Sequence, residues 1–220
     1  EQIKLGIPVS LQFTITSIGS MCLQGAVNGF GANVIAGFTA AGKVENLTNI
    51  PMSGLGVATQ TFVGQNFGAK NYDRIVKSIR KIFVLDLVVS VIMSITLYTI
   101  GEPLVSLFST EVNSEMMFAA KRYILATAQC YSLVAILFVL RNSLQGLGYT
   151  YANMIAGAGE LVGRIAIAFI FTKIIGFSAV CYAAPAAWLL ADIPLAIIYL
   201  NKEKKFKRLA KQQSAVGKTQ

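Results

Sequence analysis

From residue 5 to residue 42 the chain carries no charged side chain. As one helix that run extends roughly 57 Å, against a hydrocarbon core of about 30 Å, so it has to break. Residues 28–33, Asn-Gly-Phe-Gly-Ala-Asn, have the composition of a turn. Beyond them the chain continues as long apolar runs joined by short polar connectors. The pattern predicts six spans, at residues 5–28, 34–67, 82–100, 118–145, 151–175 and 177–200, followed by a basic tail at 201–220. Pro51 falls inside the second span, where it is able to mark a bend. The third span ends at Gly101-Glu102-Pro103 and the fifth at Gly176. Membrane-barrel strands would alternate polar and apolar residues over segments of about ten, and these runs do not. The expected fold class is an all-α membrane protein, with six transmembrane helices forming one unit over residues 1–200.

Composition supports this. The chain is 55% hydrophobic and 13% charged, where a soluble domain carries about 25% charge. The net charge of +9 is fringed rather than patched: five Lys/Arg lie at 70–81 and seven at 202–218. That distribution argues against nucleic acid as a partner. Connector 101–117 carries Glu102, Glu111 and Glu115 and no Lys or Arg. By the positive-inside rule the basic connectors and both termini of the segment lie in the cytoplasm. The absence of His excludes His triads and HExxH zinc sites. Cys22, Cys130 and Cys181 are isolated in apolar runs and read as small core residues. No metal-ligand set and no cofactor motif stands out. The chain opens on Glu with no signal-peptide pattern, so it is expected to be a piece of something longer. An even number of spans lets two such units share one orientation about an axis along the membrane normal.

An ionisable side chain deep in a span is costly and marks a functional candidate. Glu45 lies eleven residues past Val34, near the midplane by helical rise. There it attracts a cation or holds a proton; a span starting nearer Lys43 leaves it interfacial, and a structural carboxylate also fits. Glu160 and Arg164 are four apart and read as a structural ion pair, with Glu160 kept as a cation-binding candidate. Removing one partner is expected to hurt more than removing both. Asp86 is expected to pair with Arg80 or Lys81, and Arg141 to snorkel to the interface. Asp192, between Pro185 and Pro194, is a further transport candidate. In the first span Ser10, Thr14, Ser17, Ser20, Gln24 and Asn28 fall within about 120° of arc. Lipid disfavours that face, so it points into the bundle or a water-filled cavity. Gln24 and Asn28 are candidates for lining a substrate path, and the small hydroxyls equally suit helix–helix hydrogen bonding. Gly157, Gly159 and Gly163 predict close backbone approach. The tail, with Phe206 and Leu209, either lies on anionic lipid or is solvated.

Residues 6–75, above all GLGVATQTFVGQNFGAKNYDR at 54–74, together with RNSLQGLGYT at 141–150 and AGAGELVGRI at 156–165, resemble a six-helix half of the multidrug and toxic compound extrusion family. The resemblance covers about residues 5–200. It implies a twelve-helix, two-lobe antiporter that exchanges Na⁺ or H⁺ for amphipathic cationic drugs by alternating access. This chain resembles the C-terminal lobe, helices seven to twelve. Its implied partners are the absent N-terminal six-helix lobe, membrane lipid and small amphipathic cations, with no cofactor beyond the coupling ion. In the best-known branch, coupling carboxylates lie on helices seven and ten, but residues 5–28 and 118–145 contain no acid. In other members a key carboxylate lies on the first helix of the absent lobe. The expected function is a plasma-membrane, cation-coupled antiporter that exports organic cations or drugs, not an enzyme. One alternative is a flippase for lipid-linked saccharides. It needs a basic cavity, and only Arg164 and Lys43 lie deep enough, beside Glu160 and Glu45. A non-catalytic half-transporter subunit is another. A membrane-embedded enzyme would need a clustered nucleophile, acid or metal set, and none is visible.

Overall fold

The computed structural model describes residues 2–109 and 112–216. Glu111 and Lys218, counted above among the connector and tail charges, lie outside the described residues. Among the described residues every element is helical. The first, α1 (Gln2–Val27), runs into a 3-10 turn at Asn28–Phe30. Gly31 then reverses the chain at φ 92°, a left-handed value that favours glycine, and α2 (Ala32–Gly68) begins. There follow α3 (Tyr72–Ser106), α4 (Ser114–Gln129), α5 (Tyr131–Gly146) and α6 (Tyr151–Ala166). A π-helical turn at Ile167–Phe171 leads to α7 (Thr172–Ile175), α8 (Phe177–Cys181) and α9 (Ala183–Val216).

Among the described residues four helical segments are long and apolar enough to cross a bilayer: Gly6–Phe30, Tyr72–Ser106, Tyr151–Ile175 and Ala183–Gln212. The α4–α5 pair, bent by 56°, makes a fifth if taken as one broken span. At 37 residues α2 is amply long, but its charged and amide side chains keep it below the same apolarity.

Several boundaries differ from the expected ones. The run at 118–145 is not one rod but breaks at Cys130. No Pro or Gly marks the break. At the break the Cys130 N–H turns back to the Thr127 carbonyl, and the Ser94 hydroxyl of α3 donates to the Ala128 carbonyl at 2.8 Å. The third helix does not end at Gly101-Glu102-Pro103 but continues through Pro103 to Ser106. The sixth run is interrupted at Tyr182, and α9 restarts with Pro185 in its first turn, where a missing N–H is harmless. The basic tail is the continuation of α9.

Two groups of helices pack together. In one, α6 lies between α1 and α9; in the other, α2 packs on α3, α4 and α5, and α5 and α3 join it to α9. Gly157 of α6 meets Gln12 of α1, and Leu161 and Arg164 meet Gly19, so α1 and α6 run parallel. Gly159 abuts the Leu190 carbonyl, where a Cβ would come to 2.7 Å, and Gly163 abuts Ala187, so α6 and α9 run antiparallel. Glycines thus let α6 be clasped from both sides. The main core joins Val44 and Met52 of α2, Leu97 of α3, Tyr131 and Leu144 of α5, and Trp188 and Leu195 of α9.

A second core sits at one end of the bundle. Phe206 is buried there, stacked on Tyr72 at 5.7 Å and edge-on to Phe67 at 6.0 Å. Lys202 lies 4.1 Å over the Tyr149 ring. The 66–81 connector, the 146–150 connector and the basic end of α9 therefore meet at one end. The tail's aromatic is committed to protein, not to a lipid surface or solvent. The outside is heavily apolar, with Val84, Val88, Val91 and Ile92 of α3, Phe169 and Ile174, and Ile193, Ile197 and Leu200 of α9 all exposed. Such a surface needs a non-aqueous neighbour.

Candidate transport site

Glu45 is held on the inner side of α2. Its carboxylate accepts from the Tyr123 hydroxyl of α4 at 2.5 Å. Beside it the Tyr131 hydroxyl of α5 bonds both the Glu45 carbonyl, at 3.3 Å, and the Thr48 hydroxyl. The bend at Cys130 is what aims two tyrosines from successive helices at one residue of α2. Arg164 of α6 lies within electrostatic reach of Glu45 and Tyr123. One turn along α2, the Asn49 side-chain oxygen is buried without a hydrogen bond among the described residues.

The Glu160–Arg164 pair forms at 3.2 Å, but it is not alone. Arg141 of α5 binds the other Glu160 oxygen, making a buried Arg–Glu–Arg triad across α5 and α6. Arg141 therefore does not snorkel: its side chain is 14% exposed and turned inward to a carboxylate that would otherwise lack charge balance. Gly19 makes room for the Arg164 stem, since a Cβ there would lie 3.2 Å from its δ-carbon. Asp192 of α9 stands within electrostatic reach of Arg141 and Glu160, buried, with neither oxygen hydrogen-bonded among the described residues.

Asp86 does not pair with Arg80 or Lys81. It is fully buried in α3 with both oxygens unpartnered among the described residues, while Arg80 reaches Glu203 of α9 at 3.1 Å. Lys43 is exposed, 6.0 Å from the Phe108 ring centre, so it is not a deep basic group.

The polar arc of α1 faces away from its own bundle. Gln12, Gly19, Leu23 and Val27 form the buried face, whereas Ser10, Thr14, Ser17, Ser20 and Asn28 are exposed and Gln24 is half-buried. The Gln24 amide donates to Asn28 at 3.3 Å, and Thr14 and Ser20 bond carbonyls of their own helix. Among the described residues no hydrogen bond joins Gln24 or Asn28 to Glu45. The structure thus gathers Glu160, Arg164 and Asp192 in one place and sets Glu45 within reach of it through Arg164. It leaves Gln24 and Asn28 on the open face. Tyr123, Tyr131 and Arg141 were missed as members. The usable signal was two tyrosines eight residues apart inside a span, away from the interface belts where tyrosine usually collects. Among the described residues no group of three His, Cys, Asp or Glu side chains assembles as a metal site.

The probable multidrug resistance protein YoeA of Bacillus subtilis is 28% identical over 131 residues, 60% of this chain and 28% of that protein. The probable multidrug resistance protein NorM of Thermotoga maritima is 25% identical over 174 residues, 79% of this chain and 37% of that one. Among solved structures, a MOP superfamily transporter from Pyrococcus furiosus shares the fold with a TM-score of 0.82 at 20% identity, over 91% of this chain and 44% of its own. An outward-facing multidrug resistance MATE family transporter of the MOP superfamily matches with a TM-score of 0.78 at 20% identity, over 88% of this chain and 43% of that one. The chain therefore spans about a third of the curated relatives' length and under half of the solved ones. A family model described as MatE matches residues 8–170, and this chain, a multi-pass membrane protein, belongs to the MatE family.

Proposed function

We propose that the chain is the C-terminal lobe of a multidrug transporter that exports organic cations in exchange for Na⁺ or H⁺, with an N-terminal six-helix lobe as its partner. The observation that carries this reading is the sign of the interior. Among the described residues Asp86, Glu160 and Asp192 are buried and Glu45 half-buried, and the guanidiniums drawn into the same interior are Arg141 and Arg164. Glu45, Glu160 and Asp192 lie within electrostatic reach of these two guanidiniums, and three carboxyls against two, with Asp86 apart in α3, leave a surplus of acid that favours a proton, a Na⁺ ion or an organic cation over an anion. The same balance disfavours a pyrophosphate-linked saccharide, the more so because Lys43 is exposed.

The open polar arc of α1 forms one wall of the path between the lobes, and Gln24 and Asn28 line it. Glu45, exchanging its partner between Tyr123 and a cation, biases which access state is populated. The protein lies in the plasma membrane with the basic end of the bundle, and so both termini of this segment, in the cytoplasm. It needs no cofactor beyond the coupling ion.

The test is ethidium efflux by the full-length protein in vesicles under imposed Na⁺ and H⁺ gradients. Efflux should stop when both gradients are collapsed. Glu45→Gln should slow it about tenfold, equivalent to roughly 1.4 kcal/mol. Efflux that ignores both gradients would refute antiport. Efflux untouched by Glu45→Gln would move the coupling site to the other lobe.

A further inference from the structure

A groove of about 410 Å³ opens between α3, α5 and α9 at the basic end of the bundle. Phe83, Ile136, Leu140 and Leu200 form its walls, and Arg80 and Glu203 stand at its mouth. The volume lies within the range of about 300–1,000 Å³ typical of small-molecule sites. The exposed apolar stripes of α3 (Val84, Val88, Val91) and α9 (Ile193, Ile197) flank it, so its opening faces hydrocarbon and a membrane lipid enters without leaving the bilayer. The mouth is cationic. Arg80 at 3.1 Å and Lys207 at 2.9 Å share the one Glu203 carboxylate, and the Arg80 side chain is 63% exposed. Residues 70–81 and 202–211 carry eleven Lys/Arg against Asp73 and Glu203.

We propose that this groove is a binding site for one anionic phospholipid, an acyl chain lying against Phe83 and Leu140 and the phosphate at Arg80. Lipid tails are as apolar as leucine, so burying one in protein gives little selectivity. Selection falls to the head group, and basic pockets between helices next to the cytoplasmic leaflet suit anionic ones. A cationic drug meets the wrong sign at the mouth. The site is separate from the Glu45 and Glu160 groups and does not depend on the transport reading.

The experiment is titration of delipidated full-length transporter with dioleoyl phosphatidylglycerol or dioleoyl phosphatidylcholine, read by native mass spectrometry. One phosphatidylglycerol should bind more tightly than phosphatidylcholine. Arg80→Gln should weaken phosphatidylglycerol about fivefold and leave phosphatidylcholine unchanged. Glu203 keeps Lys207 in that variant, so the fold survives. Val84→Trp, at a position already exposed, should fill the groove and remove the tight phosphatidylglycerol without lowering the Tm. Equal affinity for the two lipids would overturn the proposal. So would phosphatidylglycerol binding indifferent to both variants, or displacement of the bound lipid by ethidium, which would make the groove a substrate site.

Discussion

Glu160 sits between two guanidiniums, so the three charges of the triad contribute unequally. Removing the carboxylate strands Arg141 and Arg164 together in a buried place; removing Arg164 leaves Glu160 with Arg141. Glu160→Met is therefore expected to destabilise by about 3–5 kcal/mol, the cost of breaking a buried pair. Arg164→Met is expected to cost roughly 1.5–3 kcal/mol, as for a charged hydrogen bond. Thermal melts of the full-length protein in detergent should rank them so, and the reverse order would show that Arg141 does not compensate. This revises the simple pair logic suggested by an i, i+4 spacing. The spacing is local and visible, whereas Arg141, nineteen residues upstream, arrives only through the packing of α5 on α6. Asp86 and Asp192 show the opposite case, carboxyls buried with no hydrogen-bond partner among the described residues. Neither Asp86 with its basic neighbours in sequence nor Asp192 between its prolines revealed that isolation.

At the scale of elements, the most consequential feature is that α9 does not stop where its apolar run stops. It continues for four turns of basic sequence because Phe206 is clamped between Tyr72 and Phe67 and packed with Val63, Ile75 and Ile79. Phe206→Ala should cost about 3–5 kcal/mol of local stability, typical of emptying a buried aromatic site. Trypsin cleavage within residues 202–211 should then accelerate while cleavage elsewhere does not. Unchanged cleavage would show that the basic segment is held by something other than this clamp. The break at Cys130 belongs to the same scale. The residues around it, Ala-Gln-Cys-Tyr-Ser, contain no Pro or Gly, and the hydroxyl bonded beside the break, Ser94, lies on another helix. Yet that bend turns Tyr131 toward Thr48 and the Glu45 carbonyl, so a feature invisible in the local sequence shapes the candidate site.

For the whole molecule, the exposed faces differ in kind. On α3 and α9 they are apolar and suit lipid, whereas the outer arc of α1 interleaves hydroxyls and amides with the exposed Phe13 and Met21. Polar side chains on a membrane helix that turn away from their own bundle favour water or another protein surface opposite them. In the full-length protein on a cysteine-free background, Ser17→Cys should react with a membrane-impermeant methanethiosulfonate. Leu11→Cys, on the apolar side of the same helix, should not. Equal protection of both would place the arc against lipid or a sealed interface and exclude it as a wall of an aqueous path.

The run lengths, charge fringe and scarcity of charge within the spans were enough to determine helices, a membrane environment and a common end for the basic connectors. These follow from local periodicity and from the solvation of charge, which every residue expresses alone. The motifs around residues 54–74, 141–150 and 156–165 carried the family. Only the tertiary structure decided that Arg141 turns inward, that Tyr123 and Tyr131 converge on Glu45, that the α1 arc faces outward and that the tail is clamped. Each of these depends on which helix lies beside which, at separations of tens of residues, and a partner supplied from that far along the chain leaves no periodic trace beside the residue it serves.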